Sequence, residues 1–127
     1  MISVLILIRV ACEGVIGAVM RYGFIHVTYS LIKTAFQLGT FLVNILGSGL
    51  MGLLVIILLE KGQSKLTACL LVGVLGGFTT FSTFSIYTIT LAQKGELLVA
   101  CSYVILTVLL SLLSLILFMI LGKLILQ

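Results

Sequence analysis

The chain contains no aspartate, no proline and no tryptophan, and only 8% of its 127 residues are charged. That excludes an ordinary soluble domain, in which about a quarter of the residues carry charge. It also removes most enzyme chemistry. The single histidine, His26, falls at the end of an apolar segment, where an imidazole is more often a solvated interface group than a catalyst. Glu60 and Glu96 lie in polar connections, the usual place for solvated charge, which leaves Glu13 as the one acid inside an apolar segment. No enzymatic constellation can be assembled from this set. Cys12, Cys69 and Cys101 are embedded singly in apolar sequence, with neither zinc-ligand spacing nor a CxxC pair, which argues against a metal or disulfide role. The formal net charge is +4, but the basic residues are scattered one at a time, which argues against nucleic acid as a partner.

What the chain has is apolar sequence, 62% of its residues. Long apolar runs with few charges make membrane lipid the solvent. Four segments reach the roughly 20 residues that a membrane-spanning helix needs: 2–25, 36–59, 66–91 and 97–126. The connections "HVTYSLIK", "EKGQSK" and "AQKGE" are short and polar, so residues 1–127 read as one all-α membrane domain whose work is done inside the bilayer. No basic stretch precedes the first segment and Arg9 interrupts it, so it is expected to be retained rather than cleaved as a signal peptide. Lys61, Lys65 and Lys123 fall on the side of the N-terminus. Lys33 and Lys94 fall on the other side, with Arg21 near that end of the first helix. So even a distribution gives little orienting bias and leaves insertion in both directions open beside a single weakly biased orientation. Four helices fill their own interior, so a transport role points to an oligomer. Small residues four apart, Gly73 with Gly77, Ser48 with Gly52 and Gly14 with Ala18, suit close helix packing within or between chains.

Polar groups inside a membrane are costly and are therefore functional candidates. Asn44, in "FLVNILGSGLMG", is either interhelical glue or an amide facing a pathway. Arg9 and Glu13 are four apart and face each other on the first helix. Mutual neutralisation is the favoured reading, and a proton-coupled Glu13 is the alternative. Arg21 either snorkels to the interface or places positive potential at a pathway mouth.

The most unusual stretch is "GVLGGFTTFSTFSIYT", residues 73–88. Gly76-Gly77 followed by Thr79-Thr80 is poor helix material, and a break is expected there. Broken helices persist in membranes only where buried or lining a cavity, and their freed carbonyls suit cations. Beyond the break, Phe81 and Phe84 share a face, with Thr80, Thr83 and Tyr87 on a neighbouring row. Tyr103, Thr107 and Ser111 form a hydroxyl stripe on the last helix. Positive ring edges, hydroxyls and an amide make weak sites for a small anion, as conduction requires. The bland alternative is a Phe ridge in the core, with hydroxyls bonded back to their own helices.

"GGFTTFSTFS" resembles the signature of the Fluc (CrcB) family of fluoride channels. "GVIGAVMRYG" resembles that family's first-helix motif with its Arg, and "LGTFLVNILGSGLMG" its second-helix motif with its Asn. The resemblance covers the whole chain. It implies an antiparallel homodimer of dual-topology subunits, multi-pass in the cell membrane. Two pores would let fluoride leave the cytoplasm passively, protecting against its toxicity. Carried over residue by residue, it implies a fluoride pore of Asn44, Phe81, Phe84, Ser82, Thr83, Tyr103, Thr107, Ser111 and Arg21. It also implies a structural sodium ion at the dimer centre, held by carbonyls of a break over Gly76, Gly77, Thr79 and Thr80. Two departures stand out: Glu13-Gly14 where the family commonly has Gly-Gly, and Ile86-Tyr87 where an acid often follows the third-helix motif. The runner-up is a small multidrug resistance-type proton-coupled exporter, whose essential first-helix Glu would match Glu13. The absence of Trp and Pro, and a hydroxyl–Phe motif with no job there, count against it. A purely structural membrane protein is a third reading, under which no ion flux is expected.

Overall fold

The computed structural model of the chain describes residues 3–34, 36–60, 62 and 69–127, with Leu70 described by its backbone alone. Lys61, Lys65 and most of the "EKGQSK" connection lie outside the described residues. Every described element is helical. Helix α1 runs Val4–Leu31 and α2 runs Leu38–Glu60. The third body starts as a π-helix, Cys69–Leu75, and continues into one α-turn, Gly76–Phe78; together these are α3. It resumes as α4, Phe81–Gln93, and α5, Leu97–Leu126, closes the bundle. The architecture is therefore four helices with the third one broken. Among the described residues, three stretches are long and apolar enough to cross a membrane: Leu38–Glu60, Leu71–Gln93 and Leu97–Leu126. Helix α1 has 28 residues, about 42 Å at 1.5 Å per residue, but carries Arg9, Glu13 and Arg21 along its length.

Helix α1 extends past the expected end at residue 25. The hydroxyls of "HVTYSL" are satisfied locally, Thr28 Oγ1 donating to the Phe24 carbonyl at 2.8 Å and Ser30 Oγ to that of His26 at 3.0 Å. The polar sequence thus decorates a continuing helix instead of ending it. Arg21 consequently lies in the helix interior, not at a terminus from which it could snorkel. The expected Arg9–Glu13 pair is also absent among the described residues. Arg9 is exposed, and Glu13 Oε2 is buried with no hydrogen-bond partner.

Packing pairs α1 with α3, and α2 with α5. The α1–α3 seam is a backbone-to-backbone contact. A Cβ on Gly77 would lie 2.5 Å from the Gly14 carbonyl oxygen, and one on Gly17 would collide with the Val74 carbonyl. The small residues read from the sequence thus serve packing within the chain at Gly77, and likewise at Gly52, whose Cβ would strike the Leu115 carbonyl of α5. An aromatic cluster joins α2, α4 and α5. Tyr103, fully buried, stacks on Phe84 at a ring distance of 5.5 Å and meets Tyr87 edge-on at 4.8 Å and Phe36 at 5.0 Å. The outer faces of α1 and α5 are apolar and exposed, as lipid contact requires.

Candidate anion pathway and helix break

The break is narrower than the sequence suggests. Gly76 and Gly77 remain helical, and only Thr79 (φ −77°, ψ 156°) and Thr80 (φ −149°, ψ 118°) are extended. The glycines serve close approach to α1, while the threonines do the breaking. Thr79 ends the α-turn by bonding back, its N–H and its Oγ1 both donating to the Leu75 carbonyl at 3.0 Å. Thr80 starts α4 as its N-cap, its hydroxyl accepting from Thr83 N at 3.3 Å. Such a cap satisfies one of the donors that a helix start leaves free.

Asn44 holds the break in place. Its Nδ2 donates to the Thr80 carbonyl at 3.0 Å, and its Oδ1 accepts from the Thr80 N–H at 2.9 Å. The side-chain amide therefore replaces a peptide partner on both sides of one extended residue, which is what an unwound backbone in lipid requires. It is interhelical glue and a wall of the site at once, because one Nδ2 hydrogen is left over. Arg21 reaches the same place from α1, Nη1 donating to the Thr79 carbonyl at 3.3 Å. With the Thr80 N–H used by Asn44, the helical bond that would have run to the Gly76 carbonyl is replaced, and Gly76 is an exposed residue.

Two cavities lie near the start of α4. A vestibule of about 840 Å³ is lined by Arg21, Tyr22, His26, Gln37, Thr83 and Tyr87 among others. A groove of about 380 Å³ is lined by Asn44, Thr79, Thr80, Phe81, Phe84, Thr107 and Ser111, with apolar residues of α2 and α5. The two are linked by hydroxyls: Thr80 Oγ1 donates to Thr83 Oγ1 at 3.2 Å, and lies 3.2 Å from Ser82 Oγ. Phe81 and Phe84 are neighbours at a ring distance of 5.3 Å, but Phe84 is buried while Phe81 is 77% exposed. On α5, Thr107 Oγ1 donates to the Tyr103 carbonyl at 2.6 Å, so its proton is already in use. The Tyr103 OH and Ser111 Oγ are buried without a partner among the described residues.

The structure thus gathers Asn44, Thr80, Phe81, Phe84, Thr107 and Ser111 around one groove. Tyr103 packs against its Phe84 wall, and Arg21 and Thr83 stand in the vestibule. Ser82 is exposed beside Thr80. Many other hydroxyls of α4 and α5 follow the bland reading: Ser85, Thr88, Thr90 and Ser102 each bond a carbonyl one turn back. Sequence reasoning missed the vestibule wall of Tyr22 and His26, whose rings stack at 6.4 Å, although their four-residue spacing on α1 was visible. It also missed the Arg21–Thr79 contact, which joins residues 58 positions apart in the sequence.

Residues 8–122 match the sequence model of the family described as CrcB-like protein, Camphor Resistance (CrcB). Among curated proteins, the chain is 41% identical over 116 residues to "Fluoride-specific ion channel FluC" of Paracoccus denitrificans, covering 91% of this chain and 93% of that one. It is 45% identical over 106 residues to the protein of the same name from Cereibacter sphaeroides, covering 84% and 85%. A third, from Coxiella burnetii, is 43% identical over 106 residues, covering 81% and 84%.

Proposed function

The chain belongs to the CrcB-like family, and from that premise we propose that it is a fluoride-selective channel of the cell membrane. It is not an enzyme; it lets fluoride leave the cytoplasm passively. Residues 1–127 act as one multi-pass channel domain. The observation that carries the reading is the groove beside the break. There the buried Ser111 hydroxyl has no partner among the described residues, Asn44 has an N–H to give, and Phe81 and Phe84 line the wall with rings whose edges are positive. A small, strongly hydrated anion must exchange its water for donors, and these donors are weak enough to release it. Arg21 sets a positive potential in the vestibule, and Thr83, Thr80 and Ser82 carry the hydroxyl line from there to the groove.

The functional unit is an antiparallel homodimer. Phe81, 77% exposed in the single chain, leaves the groove open on one side, and a second copy closes it. The break also fits a sodium ion at the dimer axis. No cluster of three His, Cys, Asp or Glu side chains occurs among the described residues, so the donors on offer are oxygens, which suit a hard cation. The carbonyls at Gly76, Gly77, Thr79 and Thr80 would hold it, those of Thr79 and Thr80 through the lone pair that Arg21 and Asn44 leave free. When bound, sodium supplies a fixed positive charge beside the pores. Asn44 and Arg21 keep the carbonyls in place, while Phe84 and Tyr103 exclude water from the groove wall.

The test is efflux from liposomes holding the purified protein. Vesicles loaded with fluoride should empty once counter-charge is supplied, and vesicles loaded with chloride should not. Equal leakage of both ions, or none, rejects the proposal.

A further inference from the structure

Glu13 is the one acid in the interior of a helix, and nothing in the pathway accounts for it. Its Oε2 is buried and has no hydrogen-bond partner among the described residues, while Arg9, one turn earlier, is exposed. The carboxylate lies over Gly73, whose missing side chain makes the room. A Cβ there would sit 2.7 Å from Glu13 Cβ and 3.0 Å from Oε2. The next residue, Gly14, is in backbone contact with Gly77. Glu13 therefore stands beside α3 at Gly73, with Gly76 three residues and Thr79 six residues farther along. Arg21, about 12 Å farther along α1, donates to the Thr79 carbonyl at the other end of the break. Helix α1 thus flanks the loosened carbonyls with one unpartnered negative group and one positive group.

Glu13 is half-buried, and a carboxylate oxygen buried without a partner is favoured by a cation nearby. Resting on the central-cation reading above, we infer that Glu13 is the counter-charge of the cation bound at the break. Its carboxylate does not ligate the ion. It raises the affinity of the Gly76–Thr80 carbonyls for sodium and offsets the repulsion from Arg21. Carbonyl dipoles alone hold a cation weakly. A full negative charge beside the same helix, partly withdrawn from water, attracts that cation more strongly than it would in solution. The resemblance noted above leads one to expect glycine at this position, so the device belongs to this chain and tunes affinity rather than creating the site.

Sodium is titrated into the purified protein in detergent at constant ionic strength, with a large organic cation as replacement, and the thermal midpoint is read. The wild-type midpoint should rise with sodium and saturate. Glu13→Gln, nearly isosteric and neutral, should reach the same plateau at sodium concentrations higher on the order of ten-fold. Its fluoride flux at saturating sodium should match the wild type. Glu13→Asp, which keeps the charge, should stay close to the wild-type titration. If Glu13→Gln fails to assemble, Glu13→Gly takes its place. An identical sodium titration in the neutral variant overturns the inference and leaves the central cation standing. An equal loss in the Asp and neutral variants overturns it as a packing effect. A wild-type midpoint indifferent to sodium overturns both readings.

Discussion

Asn44 shows how much one side chain can carry. It satisfies both polar groups of Thr80, a residue that is 6% exposed, and its removal strands a donor and an acceptor together. Leaving a buried polar group unpaired costs about 1–3 kcal/mol. Asn44→Leu should therefore lower the thermal midpoint of the purified protein by several degrees and abolish fluoride efflux. An unchanged midpoint would show that Thr80 finds other partners. The two phenylalanines should separate in the same pair of assays. Phe84 is buried and stacked on Tyr103, so Phe84→Ile should reduce both stability and flux, the lost ring contact alone being worth about 0.5–1.5 kcal/mol. Phe81 is largely exposed in the single chain, so Phe81→Ile should reduce flux with little effect on the fold of the chain. Near wild-type flux in both variants would remove the ring edges from the pathway.

Between helices, the α1–α3 seam sets the position of the break, because it fixes the distance from which Arg21 reaches Thr79. The seam has no side chains at its closest point. Gly77→Ala places a methyl 2.5 Å from the Gly14 carbonyl oxygen, a contact that only a shift of backbone relieves. Overpacking of this kind costs about 1–3 kcal/mol. The reverse substitution is mild: a Cβ on Gly14 would meet the Gly73 carbonyl oxygen at 3.9 Å, ordinary contact, so Gly14→Ala should change stability by no more than about 0.5 kcal/mol. Thermal melts of the two variants in parallel check this asymmetry, and equal effects would mean that the seam is looser than drawn. The π-helical stretch Cys69–Leu75 belongs to the same seam, since it brings Gly73 under Glu13 and Val74 against Gly17.

For the molecule as a whole, the question is how the open groove is closed. An antiparallel partner requires that the chain insert both ways, which its nearly even distribution of Lys and Arg permits. A reporter cysteine at Lys94, in the exposed turn between α4 and α5, tests this in a background with Cys12, Cys69 and Cys101 replaced by alanine. Membrane-impermeant label should reach it from both sides in comparable amounts. Labelling from one side only would exclude the antiparallel dimer and the axial cation site with it. Loss of Cys69, which is buried, is the replacement expected to lower stability; Cys12 and Cys101 are exposed, and their loss should be silent in the same melts.

Lipid as solvent, four apolar segments and a break somewhere within Gly76–Thr80 were all legible in the sequence. Hydropathy and helix propensity are local, and a membrane leaves the backbone few alternatives to a helix. The polar residues that line the groove were legible for a related reason: polar groups stand out in a chain this apolar. What distance along the chain could not decide is which polar group meets which. Thr107 and Ser111 sit on one stripe, yet one hydroxyl is tied to its own helix and the other is left free. Arg9 and Glu13 have the spacing of an ion pair, yet Glu13 turns toward Gly73 because packing against α3 outweighs a contact that Arg9 can replace with solvent or headgroups. The glycines offered a break by propensity and became a seam instead, because only a residue without Cβ lets two backbones touch. The break moved to the threonines, where Asn44, 36 positions away in sequence, supplies the hydrogen bonds that an extended residue in lipid needs.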